Sequence, residues 1–217
     1  MRLERVTDGD TLRLENGQRV RIVGINTLEL RSQGWYQDHA RQAKDQAAAF
    51  LPEWVQLTPW PAPTDRYGRL LANIWHQETY LAAELVTKGL AFAVAVPPNT
   101  RLARCLKQSE TAAQRQGVGI WSADVYPQAL VDLDDDLGGF QMLAGAVTEI
   151  EPGRGKAVVI LDGILRLELA SGIKPPPIGT RLVVRGWIGR SPKAKRARFT
   201  WTMKITHPAN LDRQADS

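Results

Sequence analysis

Three short stretches of this 217-residue chain carry side chains that a protein core does not need. "DGDT" at residues 8–11 supplies the carboxylates Asp8 and Asp10, and "RIVGINTLE" at 21–29 supplies Arg21, Asn26, Thr27 and Glu29. "DRYGR" at 65–69 adds Arg66, Tyr67 and Arg69. Asp8, Asp10 and the Asn26–Thr27 carbonyl region are hard oxygen donors of the kind Ca2+ prefers. Arg21 and Arg69 are planar forks suited to phosphate oxygens, and Glu29 can accept a proton from water. A metal, two guanidinium groups and one carboxylate suffice to hydrolyse a phosphodiester. Each stretch has a plainer explanation when taken singly. Asp-Gly pairs mark turns, a strand arginine is commonly solvated, and "YGR" can be an ordinary loop.

The elements that must position these residues follow from pattern. "VTDGDTLRLENGQRVRIVGI" reads as consecutive strands, with bends at Asp8-Gly9 and Asn16-Gly17. "DHARQAKDQAAAFL" is Ala-rich and helix-prone and stops at Pro52. "VQLTPW" and "RLLANIW" are further strands, separated by "PAPTDRYG". "YLAAELVTKGLA" is a short helix capped by Gly89. "NTRLARCLKQSETAAQRQG" predicts a helix with Leu102, Cys105, Leu106, Ser109 and Ala113 on its buried face, ending at Gly117. Strands followed by helices argue for α+β. Residues 127–141 hold Asp132, Asp134, Asp135 and Asp136 before Gly138-Gly139 and read as an acidic linker. Beyond it, "MLAGAVTEI", "KAVVIL", "ILRLELA", "TRLVVRGWIG" and "RFTWTMKIT" are five strand candidates, with a hairpin at Asp162-Gly163. They fit a small OB-like barrel, with an open sheet or SH3-like barrel as alternatives.

Composition narrows the classes. No apolar run approaches the roughly 20 residues that span a bilayer, so no membrane segment is expected. Nothing at the start reads as a signal peptide, so a signal for export would lie outside this chain. One cysteine excludes an intrachain disulfide, and the scattered His39, His76 and His207 suggest neither a zinc site nor a Ser-His-Asp triad. Residues 1–144 carry a net charge of −2 and residues 145–217 a net of +7. That asymmetry points to an anionic partner, and "GRSPKAKRAR" at 189–198 concentrates it in Lys193, Lys195, Arg196 and Arg198.

In order and spacing, "VTDGDTLRL", "VRIVGINTLE" and "TDRYGRLLANIW", with "LVTKGLAFA" and "GIW" downstream, resemble the staphylococcal nuclease family. The resemblance covers about residues 4 to 122. It implies an OB-type five-stranded β-barrel with three helices over residues 1–126. The linker of 127–141 and a second small all-β, OB-like barrel over 142–217 would follow. The implied activity is Ca2+-dependent hydrolysis of DNA or RNA, single strands being favoured, by a monomer exported to the periplasm or medium. Position by position, Arg21, Glu29 and Arg69 match the family's catalytic residues. Asp10 and Thr27 match metal ligands, and Arg66 and Tyr67 match the pair beside a terminal phosphate. Asn26 stands where the family has a second aspartate ligand, and Leu28 where it has proline. Ala95 and Pro97 replace aromatic residues that pack on the base. The segment "TRLVVRGWIG" followed by "MKITHPANL" is similar to a barrel appended to some bacterial thermonuclease-like proteins. The rival expectation is a binding module on the same fold that has lost catalysis.

Overall fold

The computed structural model describes residues 1–132, 138–152, 156–190 and 201–214. They form two compact units, Met1–Ala123 and Asp124–Ser217.

In the first unit, β1 (Leu3–Asp8), β2 (Thr11–Leu14) and β3 (Arg19–Ile22) form an antiparallel meander. A short β4 (Ile25–Asn26) and helix α1 (Gly34–Phe50) follow. Next come β5 (Gln56–Thr64) and β6 (Leu70–His76). Strand β6 runs parallel to β3 and antiparallel to β5. The barrel closes where Arg2 bridges Trp54, with Leu3 N–H donating to the Glu53 carbonyl at 2.8 Å. The closed order β1-β2-β3-β6-β5 is the OB-type five-stranded barrel expected. Strand β7 (Thr79–Tyr80) adds to β6, helix α2 (Leu81–Thr87) follows, and β8 (Phe92–Ala93) pairs with β4. Helix α3 (Ala103–Gln116) completes the unit.

Alternation fills the barrel: Leu12, Leu14, Val20, Ile22, Ala72 and Ile74 are buried together. Helix α1 turns Ala40, Ala43 and Ala47 inward, and these small side chains let its backbone approach the strands closely. Helix α3 differs from expectation. Its buried residues are Ala103, Leu106, Glu110 and Ala113, while Cys105 is exposed. The inward stripe includes a glutamate, which an apolar pattern cannot register. Glu110 is tolerated because it accepts Ala93 N–H at 2.9 Å and Lys107 Nζ at 3.0 Å.

The second unit repeats the same strand topology. Strands β10 (Gly139–Pro152), β11 (Ala157–Leu161) and β12 (Leu165–Leu169) form a meander. Strand β13 (Arg181–Arg190) pairs with β10, closing the barrel, and β14 (Trp201–Ile205) runs parallel to β12 and antiparallel to β13. Short strands β9 (Gln128–Ala129) and β15 (Leu211–Arg213) extend the sheet at its edges. Its core is Leu143, Val159, Leu161, Leu165, Leu167, Val184, Trp201 and Ile205, among others. Of the span read as a linker, β9 and the first residues of β10 belong to this barrel. The Asp134–Asp136 run lies outside the described residues. Among the described residues no helix is long and apolar enough to cross a membrane.

Candidate active site

The two-residue turn between β1 and β2 places Asp10. Gly9 is obligatory there, because a Cβ would lie 2.7 Å from the Ala43 Cβ of α1 and 2.8 Å from Thr27 Cγ2. That close approach brings Asp10 against the residues after β3. Asp10 Oδ2 accepts the Thr27 backbone N–H at 3.0 Å and lies 3.0 Å from Arg21 Nη2. Arg21 stands opposite Thr11 in the β2–β3 ladder. Its guanidinium also donates to the Ile22 carbonyl at 2.6 Å and to Asn26 Oδ1 at 3.2 Å. Both partners of the ion pair are nearly buried, so bulk water screens it little. The chain turns back after β3 at Gly24, where φ is +86° and a Cβ would strike Leu106 Cδ1 at 2.5 Å. The Tyr80 hydroxyl, 2.8 Å from the Val23 carbonyl, braces this bend, and burial keeps that hydroxyl protonated far above the ordinary tyrosine range.

Arg69 arrives from the turn between β5 and β6. Asp65 organises that turn by accepting the backbone N–H groups of Tyr67 at 2.9 Å and Arg69 at 3.0 Å, and Arg69 Nε at 2.8 Å. Burial alone would raise the Asp65 pKa, but these bonds and the Arg69 charge outweigh it and hold the carboxyl below its usual range. Arg69 Nη1 lies 3.4 Å from Thr11 Oγ1, and Thr11 Oγ1 donates to Asp10 Oδ1 at 3.1 Å. A continuous chain therefore runs Arg69–Thr11–Asp10–Arg21 and joins the two arginines. Asp8 crowds it: burial first, and the neighbouring Asp10 charge second, push its carboxyl up to about 7.

Of the residues singled out by sequence, Asp10, Arg21, Asn26, Thr27 and Arg69 are thus brought together. Glu29 is exposed on the loop beyond β4, and its carboxylate makes no hydrogen bond or ion pair among the described residues. That loop is tied down by Ser32 N–H donating to the Glu29 carbonyl at 3.0 Å and by Gln37 Nε2 donating to the Leu30 carbonyl at 3.1 Å. Tyr67 is 57% exposed, with the Arg66 guanidinium 4.8 Å from its ring centre and that of Arg69 at 5.5 Å. Lys193, Lys195, Arg196 and Arg198 lie outside the described residues. Sequence reasoning gave no role to Thr11 or Asp65. Both stand inside the quoted motifs, and the signal that would have found them is position: Thr11 directly follows Asp10, and Asp65 directly precedes Arg66.

Asn26 spends its amide internally. Its Oδ1 accepts Arg21, and its Nδ2 donates to the Thr27 carbonyl at 2.9 Å. Among the described residues no group of three or more His, Cys, Asp or Glu gathers. The carboxylates that could meet a cation there are Asp8 and Asp10; both Asp10 oxygens are engaged by Thr11, Thr27 and Arg21, and the Asn26 and Thr27 oxygens are engaged as well.

A closed OB-type barrel with three helices thus carries two arginines, one in β3 and one beside the β5–β6 turn, on one hydrogen-bonded chain. A family model described as "Staphylococcal nuclease homologue" matches residues 19–123. The thermonuclease of Staphylococcus intermedius is 32% identical over 124 residues, 55% of this chain and 74% of that protein. That of Staphylococcus hyicus is 31% identical over 123 residues, 54% and 73% respectively. The chain belongs to the staphylococcal nuclease family.

Proposed function

We propose that the protein is a Ca2+-dependent nuclease hydrolysing phosphodiester bonds of DNA or RNA. The chain Arg69–Thr11–Asp10–Arg21 carries this reading, because it holds two guanidinium groups from separate elements around one point. Asp10 and Asp65 orient the forks through some of their N–H groups. Arg21 Nε and Arg69 Nη2 make no bond among the described residues and are free for phosphate oxygens. Negative charge grows on those oxygens as the phosphorus becomes five-coordinate, and donors that match that state better than the ground state raise the rate. Glu29, exposed and unpaired among the described residues, accepts a proton from the attacking water. The new bond joins that water oxygen to phosphorus. The bond between phosphorus and the 5′ oxygen breaks, and that oxygen takes a proton from solvent water, leaving a 3′-phosphate and a 5′-hydroxyl.

Asp8 and Asp10 fit a hard cation, since two crowded carboxylates favour a positive guest. Asn26 Oδ1 and the Thr27 carbonyl would join them by exchanging their present partners. Bound Ca2+ would supply charge neutralisation at a phosphate oxygen. Arg66 and Tyr67 would hold a neighbouring phosphate, and Lys193, Lys195, Arg196 and Arg198 the backbone further along. Single-stranded substrate, a monomeric state and export belong to the same proposal.

Denatured DNA and RNA incubated with the protein in Ca2+ should be cut, and EGTA should stop the cutting. Asn26 favours a second reading, a nucleic-acid-binding module without turnover. Binding without cleavage at any Ca2+ concentration would select it.

A further inference from the structure

The second barrel carries an aromatic face that its core does not use. Leu182, Val184 and Ile188 of β13 point into the core, so the alternating Trp187 points out. It is 47% exposed, an unusual state for so large an apolar side chain. Phe140 of β10 lies directly across from it, with ring centres 5.3 Å apart in a T-shaped arrangement. On its other side the register Ile188↔Met203, continued by one residue, sets Lys204 of β14 across from Trp187. Lys204 is exposed and makes no ion pair among the described residues. Two residues along the same face is Gly189, where a Cβ would meet nothing within 4 Å among the described residues. Its φ is not in the left-handed region, so backbone geometry does not demand glycine there. Thr202, whose hydroxyl donates to the Gly189 carbonyl at 3.2 Å, walls the far side of that open niche.

We infer that this face is a stacking site for an unpaired base of single-stranded nucleic acid, with the base on the Trp187 indole over Gly189 and a backbone phosphate on Lys204. Every base has an apolar π-face, and aromatic–base stacking contributes about 1–3 kcal/mol per base in single-strand binders. A duplex hides those faces, so the site selects unpaired strands. The occupant is anionic because residues 145–217 carry the chain's positive surplus, a net of +7, while the rest is slightly acidic. The inference extends the nuclease reading by giving the second barrel a share in substrate binding.

The test is binding of the full chain to a fluorescent, nuclease-resistant phosphorothioate oligothymidylate in EGTA, read by anisotropy at several salt concentrations. Trp187→Ala should weaken binding by about tenfold. Gly189→Leu, which fills the niche and keeps the indole, should weaken it by a similar factor. Lys204→Gln should cost about two- to threefold and flatten the salt dependence. Circular dichroism of each variant matching the parent establishes folding. Parent-like affinity and salt slope in both Trp187→Ala and Gly189→Leu would overturn the inference. So would equal loss of duplex binding, or sedimentation showing that the parent self-associates through Trp187. Cleavage of a dinucleotide-sized substrate reads only the first unit, so its survival or loss in wild-type protein judges the nuclease reading separately.

Discussion

The two units of this chain are the same barrel built twice, and among the described residues the first gathers the arginines and carboxylates proposed to act on a phosphate. In both, three antiparallel strands are followed by a fourth and a fifth, and the fifth lies parallel to the third. The third strands make the sharpest contrast. Arg21 in β3 reaches Asp10 on a different element, with both partners nearly buried. Arg166 in β12 pairs with Glu168 two residues along its own strand, in partial contact with water. A same-strand pair needs nothing from the fold, whereas the Arg21–Asp10 pair exists only because Gly9 lets the β1–β2 turn nest against α1. After its third strand the first barrel inserts the Asn26–Glu29 segment and α1, while the second crosses to β13 through "SGIKPPPIGT" without a helix. Topology supplies a frame, and chemistry resides in the connections hung upon it.

Removing matched arginines tests that contrast most severely. Arg21→Ala and Arg69→Ala should each lower kcat by about 10²–10³, the usual loss for one transition-state donor, and Glu29→Gln by about 10². Arg166→Ala should change kcat by less than about twofold, as expected for a partly exposed local ion pair. Single-turnover cleavage of labelled single-stranded DNA in saturating Ca2+ measures all four. Parent-like turnover in Arg21→Ala with an intact fold would end the proposed mechanism.

Much of this was visible in the order of residues. The turn pairs Asn16-Gly17 and Asp162-Gly163, the alternation of β2 and β12, and the helix stop at Gly117 are local signals, and each appears where its chemistry dictates. The three polar stretches also named the residues that converge on the first barrel. What was hidden depends on distant partners. Glu110 faces inward because Ala93, seventeen residues earlier, offers it an N–H, and that rotates Cys105 to the surface. Thr11 joins the arginines only because β2 and the Asp65–Arg69 turn come together across 58 residues. Asn26 likewise gives no sequence sign that both ends of its amide are engaged.

Buried charge sharpens the comparison further, with opposite signs in the two barrels. In the second, Arg185 is fully buried and pairs with Asp212 at 3.1 Å. Asp212→Asn should destabilise the protein by about 2–3 kcal/mol, because the guanidinium loses a charged partner while staying in the interior. In the first, Asp8 is held up to about 7 by burial and by Asp10. Its folded pKa thus exceeds the unfolded value of about 4, so between those pH values the folded state binds more protons. Stability of metal-free protein must then fall as pH rises from about 4 to 7, and the penalty is complete above 7. Asp8→Asn should abolish that decline and stabilise the metal-free protein by about 2 kcal/mol at pH 8, with little effect at pH 4. Urea unfolding in EGTA at both pH values gives the answer, and an unchanged pH slope in Asp8→Asn would show that Asp8 is not the group responsible.

The smallest expected change concerns Asn26. As an amide it offers Oδ1 to Arg21 and caps the Thr27 carbonyl with Nδ2, so two oxygens beside Asp10 are already engaged. An aspartate there cannot donate to Thr27, which frees that carbonyl, and it adds one formal charge to the donor set. Affinity for hard cations rises with ligand charge. Part of the gain is offset by desolvating the added carboxylate and by its tighter hold on Arg21. Asn26→Asp should therefore strengthen Ca2+ binding about tenfold, equivalent to about 1.4 kcal/mol, and lower the Ca2+ needed for half-maximal cleavage by a similar factor. Turnover at saturating Ca2+ should move less than about threefold, because Arg69 and Glu29 are untouched and Arg21 keeps Asp10. Calorimetric titration of both forms separates the outcomes. Equal or weaker Ca2+ binding by the aspartate variant would mean that position 26 does not face the cation, and the Asp8–Asp10 pair would then have to hold it without help from the end of β4.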